Sequence, residues 1–127
     1  MIERIYLGIV AAMYLALAIW CTVSPATTSE KVGFELNGNA GQSEFITVYG
    51  GLEFGLALVL IAAMFRADTL TFGVLACVLI HGSLVLFRTY SFFQISDIPS
   101  FTRSLAIGEW VILLSGIATL VWAYLRK

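Results

Sequence analysis

Charge is scarce in this chain: 7 Lys and Arg, 8 Asp and Glu and one histidine among 127 residues, for a formal net charge of -1. No basic cluster exceeds the terminal Arg126-Lys127 pair, so the electrostatic footprint of a nucleic-acid binder is missing. The two cysteines, Cys21 and Cys77, fall in apolar runs without C-x-x-C spacing. That excludes a disulfide scaffold and a dithiol redox motif and leaves two small core residues. With His81 alone, bis-histidine haem ligation is excluded. No P-loop, nucleophile elbow or zinc cluster occurs. Neither a metal nor a cofactor is expected.

What the chain has in excess is apolar surface: 60% of its residues are hydrophobic, and the mean hydropathy is +0.94. A soluble domain of this length has too little interior to bury that much. Four runs are long enough to cross a bilayer, which takes about 20 helical residues: Ile5 to Val23, Phe45 to Phe65, Leu70 to Tyr90 and Leu105 to Leu125. The expected fold is therefore all-α, an antiparallel four-helix bundle in the membrane that uses residues 1–127 as one domain. Ser24 to Glu44 reads as a polar linker with an Asn37-Gly38 turn, Arg66 to Thr69 as a tight hairpin, and Ser91 to Ser104 as a loop carrying Pro99.

Basic residues in short loops stay preferentially on the cytoplasmic side. With the amino terminus inside, that side holds Arg4, Arg66, Arg126 and Lys127, against Lys31 and Arg103 outside. Both termini are accordingly expected in the cytoplasm. The first run also has the outline of a signal peptide, a charged MIER followed by apolar residues and Ser24-Pro25-Ala26. Its length, the position of Pro25 and the bulky Tyr14 and Trp20 favour retention as a membrane helix.

The ionisable residues within the spans are few and one-sided. Glu53 lies eight residues past the start of its span, roughly 12 Å in, and His81 nine residues before the outer end of its own, roughly 13 Å in. Arg88 is two residues from that outer end, and Glu109 sits four residues into the last span, roughly 6 Å down. All four fall in the outer half of the bilayer. An ionisable side chain there costs about 2.5 to 3.5 kcal/mol on insertion scales, so acids and bases at similar depth are expected to satisfy one another.

Helical phase adds to this. Arg88 follows His81 by seven residues, so both share a face, together with Cys77 and Leu84, which is expected to look inward. On the second span Tyr49, Gly50, Glu53 and Ala57 make one stripe, and Gly51 and Gly55 form a GxxxG on roughly the opposite face. The GxxxG pair serves either packing inside the bundle or a homodimer. Each charge has a bland reading too: His81 as a hydrogen-bonded core residue, Arg88 and Glu109 snorkelling to the headgroups, Glu53 as half of a structural clamp. Glu53 is too deep and too short to snorkel. It must be paired, protonated, or beside a wet cavity.

Tyr49-Gly50-Gly51 opening the second span, Phe87-Arg88 closing the third, Asp97 with Pro99 in the next loop, and Glu109 early in the fourth form a pattern. It resembles a group of bacterial four-span membrane proteins of unknown function placed with the DoxX-like superfamily. The resemblance covers nearly the whole chain. It implies a bundle in a bacterial inner membrane in which Arg88, Glu109 and Asp97 make a polar cluster near the outer surface. The loop departs from the Asp-Gly of that pattern, having Ile98 after Asp97.

Three functions compete. The first is a binding or accessory protein whose cluster of Tyr49, Glu53, His81, Arg88, Asp97 and Glu109 receives the head of a membrane lipid or other amphiphile. As an accessory protein it would partner another membrane protein. The second is a proton-linked transporter using Glu53; it ranks lower because the inner halves of the spans carry no charge. The third is a lipid-modifying enzyme with Glu53 and Glu109 as acid and base, which nothing beyond residue type recommends.

Overall fold

The computed structural model describes residues 1–126. It is all-helical, with no strand among the described residues, and four of its helices are long and apolar enough to cross a membrane: Ile2–Val23, Gly38–Phe65, Leu70–Gln94 and Ser100–Leu125. The expected fold class is the observed one. Exposed Ile9, Leu58, Phe72, Leu86, Val111 and Trp122 are typical of the surfaces of these helices. Apolar faces of this extent belong against acyl chains, and the protein is a multi-pass membrane protein.

Helix α1 (Ile2–Val23) stops where Ser24-Pro25 intervenes, because proline has no N–H to continue the ladder. Proline fits the first turn of the next helix, α2 (Pro25–Val32). Gly33 ends α2 in the left-handed region at φ 85, with Gly33 N–H donating to the Glu30 carbonyl at 3.0 Å and Phe34 N–H to Ser29 at 2.8 Å. A glycine takes that conformation without a Cβ penalty. The Asn37-Gly38 turn starts α3 (Gly38–Phe45), which passes through a π-helical stretch, Ile46–Leu52, into α4 (Glu53–Phe65). After the hairpin come α5 (Leu70–Gln94) and α6 (Ser100–Leu125).

Two expectations about boundaries are corrected. Ser24 to Glu44 is not a plain polar linker, since it folds into α2 and α3, and the second helix begins seven residues before Phe45. Likewise α5 runs past Tyr90 to Gln94 and α6 starts at Ser100, reducing the third loop to residues 95–99. Hydropathy marks where a helix enters hydrocarbon, whereas backbone hydrogen bonding carries the helix on into the interface.

The chain forms two compact units: Met1–Leu7 together with the chain from Ala63 onward, and Gly8–Ala62. In the first, the buried side of α5 is Gly73, Val74, Cys77, His81 and Val85, and that of α6 is Ala106, Leu113, Gly116, Thr119 and Ala123. Both stripes follow the three-and-four spacing of a packed helix face. Leu84, expected on the inward stripe, is exposed, and Val85 takes its place. The packed face of α5 lies on the side one residue further along. Tyr6 and Leu7 of α1 complete this core. In the hairpin, Arg66 forks onto Asp68, Nε to Oδ1 at 3.1 Å and Nη2 to Oδ2 at 2.7 Å, holding that carboxyl below its ordinary range.

In the second unit α1 buries Val10, Ala11, Tyr14, Ala18 and Cys21, while α4 buries Ala57 and Leu60. Helix α1 supplies core residues to both units. Three aromatic rings, Phe34, Phe45 and Tyr49, gather between the α2–α3 turn and the π-helical stretch, with centroids 4.7 to 6.3 Å apart. Lys31 Nζ lies 5.7 Å from the Trp20 ring centroid.

Close approaches occur at Gly116, where a Cβ would collide with the Tyr6 hydroxyl, and at Gly50, where it would collide with Thr22 Oγ1. Gly51 and Gly55 have no described atom within 4 Å of an added Cβ, so they do not serve internal packing. Gly116→Ala is therefore expected to destabilise the protein by about 1 to 3 kcal/mol through overpacking. Gly51→Ala is expected to be neutral or slightly stabilising, as alanine is in an open helix position. Thermal unfolding of both variants in one detergent checks the contrast; equal losses would contradict it.

Candidate functional site

The polar residues inside the first unit lie on α5, α6 and the start of α1. Arg88 and Glu109 form a two-pronged ion pair between α5 and α6, Nε donating to Oε2 at 2.9 Å and Nη2 to Oε1 at 2.5 Å. The arginine side chain is 28% exposed and the carboxylate 14%. Because α5 continues six residues beyond Arg88 and α6 begins nine before Glu109, the pair sits well inside both helices. The fork matches the planar geometry of guanidinium and carboxylate, which makes this the strongest kind of side-chain ion pair.

His81, two turns before Arg88, is buried. Its Nδ1 lies 2.9 Å from the Cys77 carbonyl oxygen and 3.5 Å from Cys77 Sγ. A carbonyl only accepts, so Nδ1 carries the proton of the neutral ring and Nε2 holds the lone pair. On the other side Tyr6 Oη donates to the Ile112 carbonyl at 3.1 Å and lies 3.1 Å from Cys77 Sγ. Beside the Arg88–Glu109 pair, a polar string therefore runs from His81 through Cys77 to Tyr6. Further along, Thr71 Oγ1 donates to Glu3 Oε1 at 3.0 Å.

Tyr6 and the role of Cys77 were not foreseen from the sequence. A tyrosine at the start of an apolar run needs a partner for its hydroxyl, and that was the available signal. Asp97 lies on the exposed loop in the left-handed region, at φ 60, a conformation aspartate tolerates better than most residues.

In the second unit the Tyr49, Gly50, Glu53, Ala57 stripe is realised, with Gly50 and Ala57 buried and Tyr49 and Glu53 half-buried. Glu53 opens α4 directly after the π-helical stretch, and its Oε2 is buried with no hydrogen-bond partner among the described residues. Such stretches are frequent at functional sites, and a buried carboxylate oxygen without a partner calls for a proton, a water or a ligand atom. Cys21 on α1 lies within electrostatic reach of Glu53. No group of three or more His, Cys, Asp or Glu that could hold a metal ion occurs among the described residues.

A family model described as Domain of unknown function (DUF4345) matches residues 2–123. The chain belongs to the DUF4345 family. No curated protein and no solved structure matches it. The matched span takes in all six helices of this DUF4345 protein to within a few residues of the end, so Arg88, Glu109, His81 and Glu53 all lie inside the family domain.

The energetics of the ion pair are open to direct test in this DUF4345 protein. Arg88→Met alone leaves Glu109 without its partner and is expected to cost about 3 kcal/mol, as for other largely buried pairs. Combining it with Glu109→Leu is expected to recover most of that loss, because no charge then remains to be desolvated. Unfolding free energies of the two single variants and the double variant, read as a cycle, measure the coupling. Simple additivity would show that the pair contributes nothing.

Proposed function

We propose that this protein is a membrane-embedded binding protein in which Arg88, held by Glu109, receives the head group of a lipid or other amphiphile. The observation that carries the proposal is the forked Arg88–Glu109 pair, set well inside two membrane-length helices with the guanidinium part-exposed. A guanidinium has five N–H donors in a fixed fork and recognises carboxylate or phosphate oxygens with two parallel bonds. The apolar flanks of α5 and α6, including Leu84, Phe87, Ile107 and Trp110, suit acyl chains beside it. The excess of basic residues at the termini and in the α4–α5 hairpin supports a topology with both termini cytoplasmic and the pair toward the other side.

Full-length protein purified in mild detergent is expected to carry an amphiphile visible in native mass spectra. Arg88→Gln, which keeps hydrogen-bonding capacity but removes the charge, is expected to reduce its occupancy at least about tenfold, the equivalent of one charge-assisted bond. Unchanged occupancy in a folded Arg88→Gln variant would overturn the reading.

One observation favours a second reading, a proton-linked transporter: Glu53 Oε2 is buried without a hydrogen-bond partner among the described residues, as a carboxyl that exchanges protons with a solute requires at some stage of its cycle. Purified protein in liposomes would then show proton-coupled solute uptake that is abolished in Glu53→Gln. Absence of any proton-coupled flux in the wild type removes this reading.

A further inference from the structure

The unit formed by Gly8–Ala62 is acidic: Glu30, Glu35, Glu44 and Glu53 stand against a single cation, Lys31. Water serves Glu30, Glu35 and Glu44, which are exposed. Glu53 is half-buried within Gly38–Phe65, a helical stretch long enough to cross a membrane, and its Oε2 is buried with no hydrogen-bond partner among the described residues. Lys31 does not supply one, since its Nζ lies over the Trp20 ring, 5.7 Å from the centroid. A carboxyl oxygen taken from water costs free energy until a donor reaches it.

The surroundings of Glu53 suit a ligand of a particular kind. Its neighbours on the helix stripe, Gly50 and Ala57, put no bulky side chain over the carboxyl, and the turn before it is π-helical, as is frequent at functional sites. Thr22 Oγ1 of α1 stands against Gly50, which sets this turn at a seam between two helices. Four residues before Glu53 comes Tyr49, whose ring gathers with those of Phe34 and Phe45. Aromatic faces attract cations. Exposed Val48, Leu52 and Phe54 make the adjoining surface apolar.

We propose that Glu53 receives the ammonium group of an amphiphilic amine. The missing partner of Oε2 has to be a donor, and an ionised carboxyl within hydrocarbon also needs a positive charge beside it. Carboxylates and phosphates fail on both counts. A divalent metal ion is unsuited, because no group of three or more His, Cys, Asp or Glu gathers among the described residues. An ammonium carries both the charge and the N–H donors. The same neutral pair results whether the amine enters uncharged and takes the carboxyl proton onto its nitrogen, or enters as ammonium onto the carboxylate. Its alkyl chain lies along the apolar surface beside the site. The amine is either a free alkylamine or the amino head group of a lipid, since both present the same donors. Neither Arg88 nor transport enters, so this site stands apart from both readings given above.

The test titrates the full chain in neutral detergent with dodecylamine and, separately, with dodecyltrimethylammonium, by calorimetry against empty micelles. Both probes are cations at neutral pH on the same alkyl chain, but only dodecylamine has N–H donors. The expected result is one dodecylamine per chain, bound at least about tenfold more tightly than the trimethyl probe, the equivalent of one charge-assisted hydrogen bond. Glu53→Gln is expected to lose at least about tenfold in affinity for dodecylamine. Glu44→Gln removes the same charge from an exposed position of the same unit and is expected to change that affinity less than about twofold. Native mass spectra of protein from nanodiscs holding equal phosphatidylethanolamine and phosphatidylcholine separate the two sources. Retention of phosphatidylethanolamine that is lost in Glu53→Gln supports a lipid amine; dodecylamine binding without that preference supports a free one.

Equal binding of the two dodecyl probes to the wild type overturns the proposal and needs no variant. Undiminished dodecylamine affinity in a folded Glu53→Gln variant also overturns it. If dodecylamine shows no saturable binding and phosphatidylethanolamine is not preferred, water alone meets Oε2 and no amine site exists.

Discussion

A charge placed in hydrocarbon has to be cancelled by a neighbour, and the Arg88–Glu109 pair is where this protein meets that requirement most visibly. The pair joins two long helices whose buried residues, His81 apart, are small or apolar: Ala106, Leu113, Gly116 and Thr119 on α6 and Val74, Cys77 and Val85 on α5. Apolar contacts give little preference for one register over another when the surroundings are lipid, since acyl chains are as apolar as leucine. A forked ion pair has one satisfactory geometry. It therefore specifies the register of α5 against α6, and the polar string through His81, Cys77 and Tyr6 extends that specification to the start of α1.

The same elements explain why glycine matters at some positions and not at others. Gly116 is required because the Tyr6 hydroxyl occupies the space where a side chain would be, and Gly50 because Thr22 does the same within the other unit. Gly51 and Gly55 have the more familiar spacing yet face open space. A motif defined by spacing alone says that a helix has a smooth face; what lies against that face depends on residues elsewhere in the chain.

Much of the fold was legible in the sequence because it depends on sums over long windows. Four apolar runs, the tight Arg66 to Thr69 hairpin and the seven-residue step from His81 to Arg88 are robust to local error. The meeting of Arg88 and Glu109 was implied by the family resemblance, and their opposite charges allow it. What escaped was local and cooperative. Helices α2 and α3 are short and polar, and they form by capping at Gly33 and by burial of Thr28, Ser29 and Phe45 rather than by hydropathy. The π-helical stretch before Glu53 has no sequence signature beyond Gly50-Gly51. The exchange of Leu84 for Val85 on the packed face shows how a one-residue rotation, invisible in composition, decides which side chains face the core.

The most direct test of the account is the distance between the labelled Arg88 guanidinium and Glu109 carboxylate, measured by solid-state NMR on the protein in lipid bilayers without added ligand. The account predicts nitrogen to carboxyl carbon separations within about 4 Å, as a forked ion pair requires. A separation beyond about 6 Å, too long for any direct hydrogen bond, would contradict it.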